Sequence, residues 1–262
     1  MGGDCPIEVR DLTMAFGSDV VMRDLSFQVE RGEIFVVMGG SGSGKSTLMK
    51  HMVGLLEPAS GQVLFEGEDV WSSDEEAKKR IRSRLGVSYQ QGALWSGLTI
   101  GENVALPMKE YTGLRGEDID PLVSLKLSLV GLGGAESLYP AELSGGMRKR
   151  AALARAMALD PAVLFFDEPS SGLDPVTASR MDDLILQLRD ALATTIVVVS
   201  HDLASIFAIA DRAVFLEVEE KTMTALGDPR ELRESPPTEG VDRFLTRSGG
   251  SSGPTDGREQ EL

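Results

Sequence analysis

One cysteine in 262 residues, Cys5, excludes an internal disulfide and fits a reducing compartment. It stands in an N-terminal stretch without pattern, and no role is assigned to it. Histidine is almost as scarce, with only His51 and His201. Long apolar runs are missing: those around Ile34–Met38 and Ile196–Val199 are far too short to span a bilayer. The opening Met-Gly-Gly-Asp-Cys-Pro has neither a basic nor an apolar region, so no secretory signal is read there. Basic charge is in deficit, 26 Lys and Arg against 41 Asp and Glu, and the net −15 argues against a surface tuned to nucleic-acid phosphates. No internal repeat appears. These absences leave a chain that is cytosolic or sits on a cytosolic face, long enough for a sizeable core.

What is present alternates. The first third reads as short strands: Ile7–Phe16, Val20–Val29 with Met22, Leu25, Phe27 and Val29 spaced for burial, and Gln62–Phe65. Ile34–Met38 is a continuous apolar run bounded by Gly32 and Gly39, as expected of a strand buried on both faces. A helical pattern follows over Ser46–Leu56 and stops before Pro58, and residues 74–85 read as a charged, solvated helix. Leu85–Tyr89 reads as a strand ending at Gln90-Gln91. Residues 92–160 lose β character and predict a mostly helical insertion. Strand signals resume at Ala162–Asp167, Thr195–Ser200 and Ala213–Val218, with a helix over Val176–Leu192, so a parallel sheet covered on both faces is expected. Val241, Phe244 and Leu245 predict a short docked helix. Residues 248–262, opening Ser-Gly-Gly-Ser-Ser-Gly-Pro, read as a disordered tail.

The chemistry begins at Gly39-Gly40-Ser41-Gly42-Ser43-Gly44-Lys45-Ser46-Thr47, a glycine loop after a strand and before a helix. Its backbone N–H groups and the helix dipole suit an anion, Lys45 would reach β- and γ-phosphates, and Ser46 would ligate Mg²⁺. Asp167 and Glu168 end an apolar strand where open sheets place ligands. Side chains alternate along a strand, so the two point apart: Asp167 suits the Mg²⁺ shell and Glu168 the attacking water. His201, at the end of the strand Ile196–Ser200, is placed to bond the γ-phosphate and hold Glu168; His51, inside a helix, reads as structural. Ser144-Gly145-Gly146, followed by a helical Arg148–Leu159, is a second anion-binding helix start. One chain needs one cradle, so the second serves another nucleotide, and a head-to-tail dimer of two copies is expected, with Ser171-Gly-Leu-Asp174 along its seam.

In this order, the segments resemble those of an ATP-binding cassette (ABC) transporter ATPase subunit, over about residues 7–247. The resemblance implies a P-loop NTPase (RecA-like) α/β core, an antiparallel β subdomain, a helical subdomain inserted at about 92–160, and ATP with Mg²⁺. It makes Lys45 and Ser46 Walker A, Asp167 and Glu168 Walker B, Ser144–Gly146 the signature, Asp174 part of the D-loop and His201 the switch histidine. Gln90 resembles the Q-loop glutamine that contacts nucleotide and metal, with Gln91 the second candidate; Gln90 is preferred because it directly ends the strand. Phe16 resembles the aromatic that stacks on adenine, or else is a core strand residue. The signature's fifth position, normally Gln, is Met147. That departure, with Gln90-Gln-Gly-Ala-Leu-Trp-Ser96 and Glu102-Asn-Val-Ala-Leu-Pro107, is similar to ATPases of Mla and mammalian-cell-entry (MCE) lipid transporters. The resemblance implies an integral-membrane permease, an MCE-domain protein, no nucleic acid, and a peripheral place on the cytoplasmic face of the cell membrane. Apolar Ala93, Leu94, Trp95 and Leu98 suggest the permease groove; the alternative is that Trp95 and Leu98 pack the insertion. The competing expectations are an amino-acid, phosphate or drug permease, and a non-transport cassette protein of DNA repair or the ribosome. No segment in 92–160 is long enough for the coiled coil of the repair proteins, and the chain holds one cassette where the translation factors hold two.

Overall fold

The computed structural model describes residues 5–72 and 74–246, so the expected tail lies outside the described residues. The first half runs β1 (Ile7–Phe16), β2 (Asp19–Val29), β3 (Ile34–Gly39), α1 (Lys45–Met52), β4 (Ser60–Phe65), β5 (Glu68–Asp69), α2 (Glu75–Ser83) and β6 (Leu85–Ser88). Next come α3 (Ile100–Tyr111), α4 (Gly116–Leu129), a 3-10 turn at Pro140–Glu142 and α5 (Gly145–Ala156). The chain continues with β7 (Val163–Asp167), α6 (Pro175–Leu192), β8 (Thr195–Val199), α7 (Leu203–Ile209), β9 (Arg212–Glu217), β10 (Thr222–Gly227), α8 (Pro229–Glu234) and α9 (Glu239–Leu245).

Two sheets result. The smaller is antiparallel, in the order β2-β1-β4-β5. The larger, β10-β9-β3-β8-β7-β6, is parallel except for its antiparallel edge β10. Period-2 alternation divides the larger sheet's side chains between two cores. Ile34, Val36, Leu164, Phe166, Ile196 and Val198 face the helical side, and Phe35, Val37, Val163, Phe165, Val197 and Val199 face α1 and the small sheet. Both faces are covered, which is why these strands are apolar throughout. Val199 pairs with both Val37 and Asp167, so β7 and β8 end level with each other and two residues short of the end of β3, and their outgoing loops meet on one rim.

Several boundaries differ from expectation for local reasons. The first helix ends at Met52, not Leu56, because the Leu55 and Leu56 N–H groups both fold back onto Lys50 O. Residues Met22 and Leu25 are three apart yet both buried, because Asp24 at φ 55° is an extra residue between the Met22 and Leu25 pairs with β1. The charged helix α2 is not wholly solvated: Ala77 and Ile81, one turn apart, are buried. Strand β10 and helices α7 and α8 had no legible signal; β10 is a half-exposed edge without clean alternation. Helix α9 is present, with Phe244 tilted against Phe215 at 5.2 Å.

Candidate nucleotide site

Strand β3 delivers the glycine loop to the rim. Gly39 has φ 152°, and a Cβ there would lie 2.7 Å from Leu216 O. Gly44, the N-cap of α1, sits at φ 80°, where a Cβ would lie 2.9 Å from Val21 Cγ1. No side chain caps α1, and the buried Ser43 Oγ has no hydrogen-bond partner. Uncapped N–H groups and an orphaned hydroxyl in one bend make a donor-rich hollow that fits phosphate oxygens. Lys45 Nζ donates to Gly39 O (2.9 Å) and Gly40 O (2.8 Å). Burial pushes the Lys45 ammonium down, against the opposing pull of Glu168 and Asp167.

Ser46 Oγ donates to Asp167 Oδ1 at 3.0 Å, across 121 residues of chain. Burial pushes the Asp167 carboxyl up, opposed by Ser46, Lys50 and Lys45. Among the described residues no cluster of three or more His, Cys, Asp or Glu could hold a metal alone. Two hard oxygens beside a phosphate hollow nonetheless fit Mg²⁺, which keeps waters and shares phosphate oxygens.

Glu168 lies beyond the strand at φ 52°, its N–H bonded to Val199 O. Strand alternation therefore does not separate it from Asp167; a left-handed turn does. That turn aims Glu168 Oε1 at His201 Nδ1, 2.6 Å away, while Asp167 faces Ser46. The Glu168 carboxylate is buried and the imidazole is largely exposed. Lys45, Ser46, Asp167, Glu168 and His201 thus share one rim. His51 is buried with Nδ1 2.9 Å from Leu56 O.

Other expected residues lie elsewhere. Strand β6 stops at Ser88, and a turn closed by Gly92 N–H to Tyr89 O (2.7 Å) carries Gln90 and Gln91, both exposed. Adjacency to the strand therefore does not single out Gln90. Phe16 is 57% exposed, which removes the core reading; it rides on the β1–β2 hairpin whose Met14 and Val21 pack beside Gly44. Ser144 caps α5 by accepting from Met147 N–H at 3.2 Å. Ser144, Gly145 and Gly146 open onto a separate cleft of about 740 Å³ that Gly172, Leu173 and Asp174 line and that none of Lys45, Ser46, Asp167 and Glu168 enters. Asp174 caps α6 through the Val176 and Thr177 N–H groups. Met147 is half-buried against the helical core.

Sequence reasoning missed four residues. Asn103, fully buried on α3, accepts from Trp95 N–H through Oδ1, and its amide donates to Trp95 O, Leu98 O and Thr99 O. A polar residue between Ile100 and Val104 on an apolar face was its legible signal. Arg155 of α5 donates to Gly92 O (2.8 Å) and Ala93 O (2.7 Å), joining α5 to the segment that follows Gln90. Lys149 and Asp182 gave no signal, one inside a basic run and one beside another aspartate. Trp95 itself is 63% exposed, against the expectation that it packs the insertion, whereas Leu94, expected in the groove, packs on the helical core.

Comparisons with known proteins agree in kind. Residues 22–171 match the family model described as ABC transporter. The intermembrane phospholipid transport system ATP-binding protein MlaF of Haemophilus influenzae is 42% identical over 229 residues, 87% of this chain and 86% of that protein. Its Escherichia coli K12 namesake is 40% identical over 230 residues, 88% of this chain and 85% of that protein. The probable ribonucleotide transport ATP-binding protein mkl of Mycobacterium leprae is 42% identical over 196 residues, but only 56% of that protein is covered. Among solved structures, the dimeric ATP-binding cassette MJ0796, in a post-hydrolysis state with ADP and Pi, superposes with a TM-score of 0.76 at 27% identity, covering 85% of this chain and 98% of that one.

Proposed function

This chain belongs to the ABC transporter family as an ATP-hydrolysing cassette, and we propose that it drives phospholipid movement between membranes through an MCE-type permease complex. The observation that carries the substrate class is the match to two MlaF proteins across 85–86% of their length, against 56% for the ribonucleotide relative. Among the described residues no helix is long and apolar enough to cross a membrane, so transport requires a permease partner. We place the protein peripherally, on the cytoplasmic face of the cell membrane, as one nucleotide-binding domain over 1–247 with its helical part at 92–160.

In the chemistry we assign, Lys45 exchanges its Gly39 and Gly40 carbonyls for β- and γ-phosphate oxygens, and the loop amides of 39–47 hold the phosphate chain. Ser46, Asp167 and Gln90 would hold Mg²⁺, which when bound neutralises charge on the β- and γ-oxygens. Glu168 takes the proton of the attacking water. Its burial keeps the base dry, and His201 orients its carboxyl from the solvent side. Phe16 supports the adenine. The Ser144–Gly146 helix start caps the nucleotide of a second copy, with Asp174 on the seam; the separate cleft at Ser144 supports this composite arrangement.

The test is reconstitution with the permease that co-purifies, in proteoliposomes carrying a fluorescent phospholipid. ATP-dependent lipid movement is expected, lost in Glu168→Gln while ATP stays bound. Movement of a water-soluble solute with no effect on lipid would overturn the substrate class.

A further inference from the structure

The turn holding Glu168 is gripped from two sides. From one side, Ser205 of α7 bonds Asp182 of α6 at 2.9 Å and lies 3.3 Å from Ser170 Oγ. From the other comes a single side chain of the signature helix. Lys149 Nζ donates to Glu168 O at 3.1 Å and to Ser171 O, while Ser171 N–H returns to Glu168 O. The basic run that opens α5 therefore divides by task. Arg148 braces Leu143 O, Arg150 reaches Val130 O and Gly131 O, and Lys149 alone of the three turns to the strand end. Burial pushes the Lys149 ammonium down and the Glu168 charge opposes this.

We propose that Lys149 is the positioning residue for Glu168, tying the signature helix, which caps one nucleotide, to the base that acts on the other. Glu168 sits in a left-handed conformation that its own backbone does not favour. Two carbonyls of its turn converge on one ammonium, so removing that ammonium releases the turn. A shift of α5 as it meets the partner's nucleotide reaches the Glu168 carbonyl through one side chain. The proposal rests on Glu168 as the base and on the composite dimer.

The first measurement is ATP hydrolysis by the Lys149→Met homodimer. Turnover should fall roughly 10–10²-fold with KM for ATP nearly unchanged, as misplacement of a base demands. Lys149→Arg, which keeps charge and N–H donors, should recover most of it. Heterodimers then locate the effect, with wild type paired to Glu168→Gln as reference. When Lys149→Met faces Glu168→Gln, the one working base lies in the chain lacking Lys149, and activity should be lost. When both substitutions share one chain, the working base keeps its own Lys149, and activity should match the reference. That retained activity also shows that the Lys149→Met chain folds and caps. The reverse pattern would make Lys149 a support of the signature alone and overturn the proposal, as would equal activity or equal loss in both pairings. Wild-type turnover by the Glu168→Gln homodimer would instead remove Glu168 as the base, and the proposal with it.

Discussion

Asp182 should make the fold less stable as pH rises, and Asp182→Asn should cancel that loss. Its side chain is buried against α7, with Oδ2 accepting from Ser205 and Oδ1 without a partner. Burial, with like charge from Asp202 and Asp183, pushes its carboxyl from 3.8 up to about 6. Folding thus favours the protonated acid: the stabilisation is complete below 3.8 and is lost as pH rises through about 6. Integrated over the whole range, the loss is about 3 kcal/mol. The chain's isoelectric point of 4.6 sets a practical lower limit near pH 5. Between pH 5.0 and 8.0 the loss is about 1.4 kcal/mol. Asparagine has the same shape, keeps an acceptor for Ser205 and does not titrate. Relative to wild type, its unfolding midpoint should therefore rise by about 3–5 °C between those two pH values. Thermal unfolding without nucleotide, in buffers of matched ionic strength, reads this directly. Other carboxylates, such as Glu66 held low by Arg84, shift both proteins alike and cancel in the difference. A wild-type-minus-variant difference that is the same at both pH values would refute the reasoning.

The composite site predicts complementation. Lys45→Ala and Ser144→Arg homodimers should both be inactive, and their equal mixture should regain up to about a quarter of wild-type ATPase activity, because half of the dimers are then mixed and one of the two sites in each combines an intact cradle with an intact cap; an inactive mixture of proteins shown to exchange subunits counts against it. Trp95→Asp should release the ATPase from membranes in a co-sedimentation assay without changing ATP affinity, since the indole is exposed while the backbone of Trp95 is held by Asn103. Loss of ATP binding together with release would show instead that Trp95 supports the fold.

The sequence by itself determined the parts whose physics is local. Glycines between an apolar strand and a helix admit the positive φ that turns successive N–H groups inward, so residues 39–47 were legible as a cradle. The continuous apolar runs at Ile34–Met38 and Val163–Phe166 specified strands buried on both faces, because nothing polar interrupts them. Ser144 before two glycines was legible as a cap because an N-cap acts within three residues. What tertiary structure alone decided was how distant groups meet. The pairing of Ser46 with Asp167 spans 121 residues, and that of Glu168 with His201 spans 33. Both depend on the pairing that brings the ends of β3, β7 and β8 to one rim, a matter of register rather than of composition. The left-handed turn at Glu168, not strand alternation, parts the two carboxylates, and no local pattern announces it. Phe16 was ambiguous because an aromatic at a strand end reads alike whether it is buried or exposed. Lys149 was hidden for the same reason in reverse: on a helix a basic residue reads as solvated until the neighbouring turn supplies carbonyls for it to bind.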